Sequence, residues 1–237
     1  MPTIEPGPNA TLADPTDAGA RAEDGTALAP TDTAPAIRKR PKPGERRVQI
    51  LQALAAMLEL PGAERITTAA LAARLDVSEA ALYRHFASKA QMFEGLIEFI
   101  EQSVFSLINQ IAARGEAEEK DAAAGQRQAG RLVAMLLQFA EKNPGMTRVM
   151  VGDALVFENE RLQQRMNLFF DKIEASLRQC LRPLTDAGGS ATPTADAQVL
   201  ASLLTAFVVG RMQRFARSGF KRLPSEYLDA SLARLLG

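Results

Sequence analysis

Tyr83-Arg84-His85-Phe86, with Lys89 just beyond, gathers a phenol, a guanidinium, an imidazole and an ammonium into one short stretch. All four can donate hydrogen bonds to phosphate oxygens. Upstream lie three hydroxyls, Thr67, Thr68 and Ser78, and a small-residue pair, Ala80 and Ala81, behind the carboxylate of Glu79. The chemistry is that of a duplex grip. Thr67 and Thr68, at the start of a helix with free N–H groups, suit a phosphate, as do Tyr83, Arg84, His85 and Lys89. Ser78, Glu79, Ala80 and Ala81 face bases: alanines permit close approach to a thymine methyl, and a carboxylate can accept from a cytosine amino group.

Such residues work only if short helices hold them. The spacing predicts a first helix over 45–59, with Val48, Leu51, Leu54, Ala55 and Leu58 on its inner face. Pro61-Gly62 ends it. Thr67 or Thr68 caps a second helix with Leu71 and Leu75 inward, Asp76-Val77 turns the chain, and Ser78 caps a third over 79–85. Leu82 and Phe86 must anchor that third helix, which is too short to persist alone. Ser88 and Gln91 form a capping-box pattern that opens a fourth helix over 89–113. Further helices are expected over 126–142, 146–151, 153–182 and 195–217, with a last one after Pro224, and a loop over 183–194. No strand pattern or internal repeat competes. The fold class is therefore all-α. A disordered extension (1–43) precedes a three-helix DNA-binding head (44–90) and a helical body (91–237).

Composition supports this. The chain has 237 residues, 46% of them apolar and only 5% aromatic, which suits aliphatic helix packing. Its net charge is zero, but the charge is unevenly placed. Residues 1–36 carry six acids against Arg21, whereas 37–47 carry Arg38, Lys39, Arg40, Lys42, Arg46 and Arg47 against Glu45. A basic arm directly before a DNA reader, with Arg46 and Arg47 nearest to it, suits phosphate contact. Cys180 is the only cysteine, so no internal disulfide forms, and its apolar helical surroundings mark a packed thiol. His85 is the only histidine, which leaves no multi-histidine metal site. No nucleophile–base pair is recognisable, so neither enzyme chemistry, a metal nor a cofactor is expected. No apolar run reaches the length of a membrane span and the N-terminus lacks a signal pattern, so a cytoplasmic protein is expected.

The block Ala81-Leu82-Tyr83-Arg84-His85-Phe86-Ala87-Ser88-Lys89, ahead of a helical body, resembles the TetR family of dimeric helix-turn-helix regulators. ITTAALAARLDVSEAALYRHFASKAQMFEGLIEFIEQS, NPGMTRVMVGDALVFE, ERLQQRMNLFFDKIEASLRQCLR and RFARSGFKRLP are similar, more closely, to the nucleoid occlusion factors within it. The resemblance spans about 45–225. It implies a nucleoid-associated homodimer on palindromic DNA, with the number of dimers per site open, that antagonises FtsZ polymerisation. Carried over residue by residue, it implies FtsZ contact at Phe99, Leu107, Met135, Gln138, Lys142 and Asn143. The apolar stripes at 162–181 and 200–215, with Met166, Phe169, Leu203 and Phe207, are the expected dimer faces. The other output open to such a body is a ligand-responsive repressor, for which Arg148, Asp153 and Gln138 are the polar candidates.

Overall fold

The structure, a computed structural model, describes residues 44–60, 66–116, 121–189 and 191–237. The extension 1–43, with its expected disorder and its basic residues Arg38 to Lys42, lies outside the described residues, as does Pro61-Gly62.

Helices dominate the described residues, and no strand occurs among them. The head holds α1 (Glu45–Leu58), α2 (Thr68–Arg74) and α3 (Glu79–Tyr83). The body holds α4 (Lys89–Glu116), α5 (Ala122–Lys142), α6 (Pro144–Met150), α7 (Glu160–Ala187), α8 (Pro193–Arg217) and α9 (Leu228–Leu235), with a 3-10 turn at Asp153–Leu155. α7 packs along α8 and α5, and α4 packs on α5. One core runs from Ile50 in α1 to Leu236. The opening turns of α4 belong to it from the head side, because Gly95 lies against the Phe86 ring and Leu51.

Four expectations are corrected. Val48 is 46% exposed; Ile50 takes its place on the inner face of α1, where Leu54, Ala55 and Leu58 are buried and Leu51 packs against the core as expected. The helix expected over 153–182 instead begins at Glu160, where the Asn159 side chain accepts from the Arg161 N–H at 2.9 Å. An Asx cap satisfies an orphan helix donor, and Asp153 makes no such cap. α7 also runs through Pro183 to Ala187. Proline removes one ladder bond, yet Leu181 and Thr185 are buried on either side of it, and Thr185 Oγ1 donates to the Arg182 carbonyl at 3.0 Å. Finally, α8 is long and apolar enough to cross a membrane by length and composition, with mean hydropathy 1.3 and only 28% of that window buried in the chain. Its uncovered apolar side chains include Val199 and Leu203.

Head and body are clamped by α1 and α6. At Gly145 a Cβ would overlap the carbonyl oxygen of Ala55, so only glycine allows this approach. Arg148, one turn on, donates to the Leu60 carbonyl at 3.4 Å and lies over the Phe220 ring at 5.0 Å. Across the body, Arg165 of α7 makes a two-pronged pair with Glu101 of α4 (3.2 and 2.6 Å), which raises the Arg165 pKa.

Cys180 is half-buried, and burial pushes its thiol from 9.0 up to about 11. A thiol that ionises more easily once unfolded contributes stability below about pH 9 that is lost as pH rises through about 11. Thermal melts are expected to fall over that window and to flatten in Cys180→Ala. Identical pH profiles for the two proteins would exclude this origin.

Candidate nucleic-acid interface

The helix-turn-helix is built by its caps. Thr67 Oγ1 accepts from the Ala70 N–H at 3.1 Å, and Ser78 Oγ accepts from the Ala81 N–H at 3.3 Å. Between the helices the chain turns at Asp76, which adopts φ 53°, a left-handed conformation that Asp tolerates. Leu82 and Phe86 are fully buried and bolt the five-residue α3 down, as its length requires. Ser78, Glu79, Ala80, Tyr83, Arg84 and His85 are left exposed, with Ala81 half-buried, on one side of the head. The Ser88–Gln91 pattern closes one residue off register: Ser88 Oγ accepts from the Gln91 N–H, while Gln91 Oε1 accepts from Ala87 N–H rather than from Ser88.

A side-chain relay joins the two helices. Tyr83 Oη donates to Thr68 Oγ1 at 3.4 Å, and Thr68 Oγ1 donates to Glu79 Oε2 at 2.6 Å. Glu79 therefore has one carboxylate oxygen, Oε2, engaged by Thr68. The Tyr83 hydroxyl is held at the N-terminal end of α2, where free N–H groups and Thr67 already favour an anion.

The surrounding cations divide. Arg47 Nη1 donates to the His85 carbonyl at 3.1 Å, and its guanidinium lies 4.2 Å from the Phe86 ring centroid. It therefore braces the end of α3 while staying exposed. Arg46 bonds Gln49 at 3.0 Å. Lys89 pairs with Glu158 of the body and lies 5.7 Å from the Phe93 ring, so a phosphate there has to compete with a carboxylate. Neither the bracing by Arg47 nor the Lys89–Glu158 pair was legible in sequence, because their members lie far apart along the chain.

The expected partner residues are spread over α4 and the end of α5. Phe99 is 41% exposed, Leu107 and Met135 are half-buried, and Gln138 and Lys142 are exposed. Asn143 uses its amide to donate to the Phe139 carbonyl at 2.8 Å ahead of Pro144, a helix-ending role. Of the expected dimer residues, Met166 and Phe169 need correction. Both are 0% exposed within the single chain, so they fill its own core and offer no surface to a second copy. Leu203 is 51% exposed and Phe207 is half-buried. Leu168 and Val199, each 58% exposed, were missed: the apolar stripe was traced through the inward positions.

Known proteins share both parts of this arrangement. Residues 50–96 match the family described as bacterial regulatory proteins, tetR family, and residues 127–236 match the SlmA-like tetracyclin repressor-like C-terminal domain. The nucleoid occlusion factor SlmA of Vibrio cholerae is 53% identical over 191 residues, which cover 80% of this chain and 93% of that protein. The chain belongs to the SlmA family. A second SlmA, from Shewanella sediminis, is 52% identical over 78% of this chain and 89% of its own. Among solved structures, the transcriptional regulator FadR of Bacillus subtilis, in complex with stearoyl-CoA, superposes with a TM-score of 0.62 at 13% identity, over 80% of this chain and 97% of its own. That likeness speaks for the fold alone. The SlmA-family match confirms the helix-turn-helix head and the all-helical body.

Proposed function

We propose that this SlmA-family chain is a nucleoid occlusion factor. As a homodimer it binds palindromic chromosomal sites through α2 and α3, and on DNA it antagonises FtsZ polymerisation so that no septum forms over the nucleoid. The observation that carries the reading is an identity of 53% sustained over nearly the whole of a curated SlmA, so that head and body are shared together. In this reading Thr67, Thr68, Tyr83, Arg84 and His85 hold phosphates, and Ser78, Glu79, Ala80 and Ala81 meet base edges. FtsZ meets α4 and the end of α5 around Phe99, Gln138 and Lys142. The protein works in the cytoplasm on the nucleoid and has no enzymatic step.

Dimerisation uses the outer face of α8, where Val199 and Leu203 are exposed, with Leu168 of α7 beside it. Covering such a patch supplies the apolar burial a stable pair needs. It also sets two α3 helices about one DNA turn apart, ~34–36 Å. Leu203→Glu is expected to give monomers in light scattering and to abolish tight operator binding; a variant that remains dimeric would move the interface elsewhere.

The function is tested by sedimenting FtsZ polymer with this protein, in the presence and absence of a palindromic duplex. Polymer mass is expected to fall, and to fall further with the duplex. Unchanged mass in both conditions would remove the reading's central content. One observation favours the second reading, a ligand-responsive repressor: a cavity of about 280 Å³ between α4, α5 and α7, lined by Ile108, Gly125, Leu132 and Cys180. It falls just below the range for small-molecule sites, ~300–1,000 Å³. Arg148, Asp153 and Gln138, the polar candidates for an effector, do not line it.

A further inference from the structure

The C-terminal end of α8 carries more positive charge than a helix end needs. Cations in the last turn offset the helix dipole, and Arg214 and Arg217 do so here. The chain then adds Lys221 and Arg222 in the following loop. Arg214, Arg217 and Arg222 line one groove of about 360 Å³ with Gly210, Gln213 and Ser218. Arg217 also lines a second groove of about 410 Å³, with Arg148, Gly219 and Val156 on its walls. The two grooves adjoin at Arg217, and the pair is the trough. Acidic groups are few there: Asp153 lines the second groove, and Glu226 pairs with Arg214 at 3.6 Å.

The loop that holds these cations is a built feature. Gly219 and Phe220 both adopt φ 64°. For a bulky residue such a conformation persists only where its surroundings enforce it. The enforcers are the Phe215 ring, 5.1 Å away edge-on, the Arg148 guanidinium over the ring, and Ser218 Oγ, which accepts from the Lys221 and Arg222 N–H groups at 3.1 and 2.9 Å. One groove-lining donor lacks an acceptor: Arg214 Nε is buried with none among the described residues, as are Nε and Nη2 of Arg211, which lines neither groove. Burial first, and the Arg214 charge second, lower the Arg211 pKa, with Glu226 opposing.

A phosphate backbone would use the charge but not the neighbours. Val156, on the wall of the second groove, is 70% exposed, and an apolar side chain beside a cation cluster gains nothing from phosphates. A peptide can satisfy both. We propose that this trough is a docking site for an acidic linear segment of a protein partner, whose carboxylates meet Arg217 and Arg222 while an apolar side chain covers Val156. The forked geometry of arginine suits carboxylates two prongs at a time. The site lies at the end of the body nearest the head, since Arg148 links Phe220 to Leu60 at the end of α1. No residue of α2 or α3 lines either groove, and the proposal holds whether or not the partner is FtsZ.

The test is fluorescence anisotropy with the full chain and a labelled peptide of mixed glutamate and leucine. Two comparison peptides replace its glutamates by glutamine or its leucines by serine. The Glu/Leu peptide is expected to bind, and both comparison peptides to bind more weakly. Arg217→Glu with Arg222→Glu is expected to weaken the Glu/Leu peptide about tenfold or more while leaving operator affinity unchanged. The same double variant is expected to gain affinity for a lysine/leucine peptide, a result that a misfolded protein cannot give. Equal binding of the glutamine peptide would overturn the proposal. So would a double variant that keeps the Glu/Leu peptide but loses affinity and salt dependence for non-operator duplex, which would make the surface a phosphate contact.

Discussion

Gly145→Ala is expected to be the most destabilising single-methyl change in the described chain's head–body junction. The new Cβ would overlap the Ala55 carbonyl oxygen, with Glu59 Cγ also close at 3.2 Å. A backbone oxygen cannot swing aside as a side chain can, so α1 and α6 must separate. Overpacking costs ~1–3 kcal/mol and occasionally more; the upper end, about 3 kcal/mol, applies here. For a chain of this size that lowers the melting temperature by roughly 10 °C. Gly130→Ala is the comparison. It lies in α5 with only Leu232 Cδ1 at 3.6 Å, and replacing a helical glycine is expected to add about 0.5–1 kcal/mol. Calorimetry of the two variants checks both signs. Equal melting temperatures would mean that the α1–α6 contact is looser than described.

Tyr83→Ala is expected to have the largest effect on DNA. It removes the hydroxyl that donates to Thr68 and leaves the Thr68–Glu79 bond in place. A hydrogen bond to a charged acceptor contributes about 1.5–3 kcal/mol, and a dimer loses two. Affinity should therefore fall roughly a hundredfold or more, about equally for operator and random duplex, because phosphate contacts carry no sequence information. Tyr83→Phe should reproduce most of the loss. Titration against both duplexes decides it: a loss confined to the operator would make Tyr83 a base reader, and no loss would place the backbone grip elsewhere.

Local signals were legible and tertiary ones were not. Thr67 and Ser78 announce their caps because a hydroxyl ahead of an apolar-periodic run has one obvious use, and both make those bonds. The start of α7 was placed at 153 rather than at Glu160 because apolar periodicity does not mark where a helix begins; the Asn159 cap does. Pro183 ends a helix in an isolated peptide, but α7 continues because its flanking residues are buried against α5 and α8. Periodicity finds an apolar face without saying what covers it. That ambiguity put Met166 and Phe169 on a dimer interface, whereas the neighbouring Leu168 is the exposed residue. Lys89 looked like a phosphate ligand until Glu158, distant in sequence, was placed beside it.

The continuity of the core around Gly95 has a consequence for how the molecule can be taken apart. Phe86 is sealed from one side by Arg47 and from the other by the opening turns of α4, where Gly95 fits against its ring and Met92, Phe93, Leu96 and Ile97 are buried. A fragment cut at residue 90 would strip that seal and bare the underside of α3. The DNA reader is thus not a cartridge that can be excised or transplanted at its apparent boundary. Its shape rests on the opening turns of α4 as much as on α1 to α3.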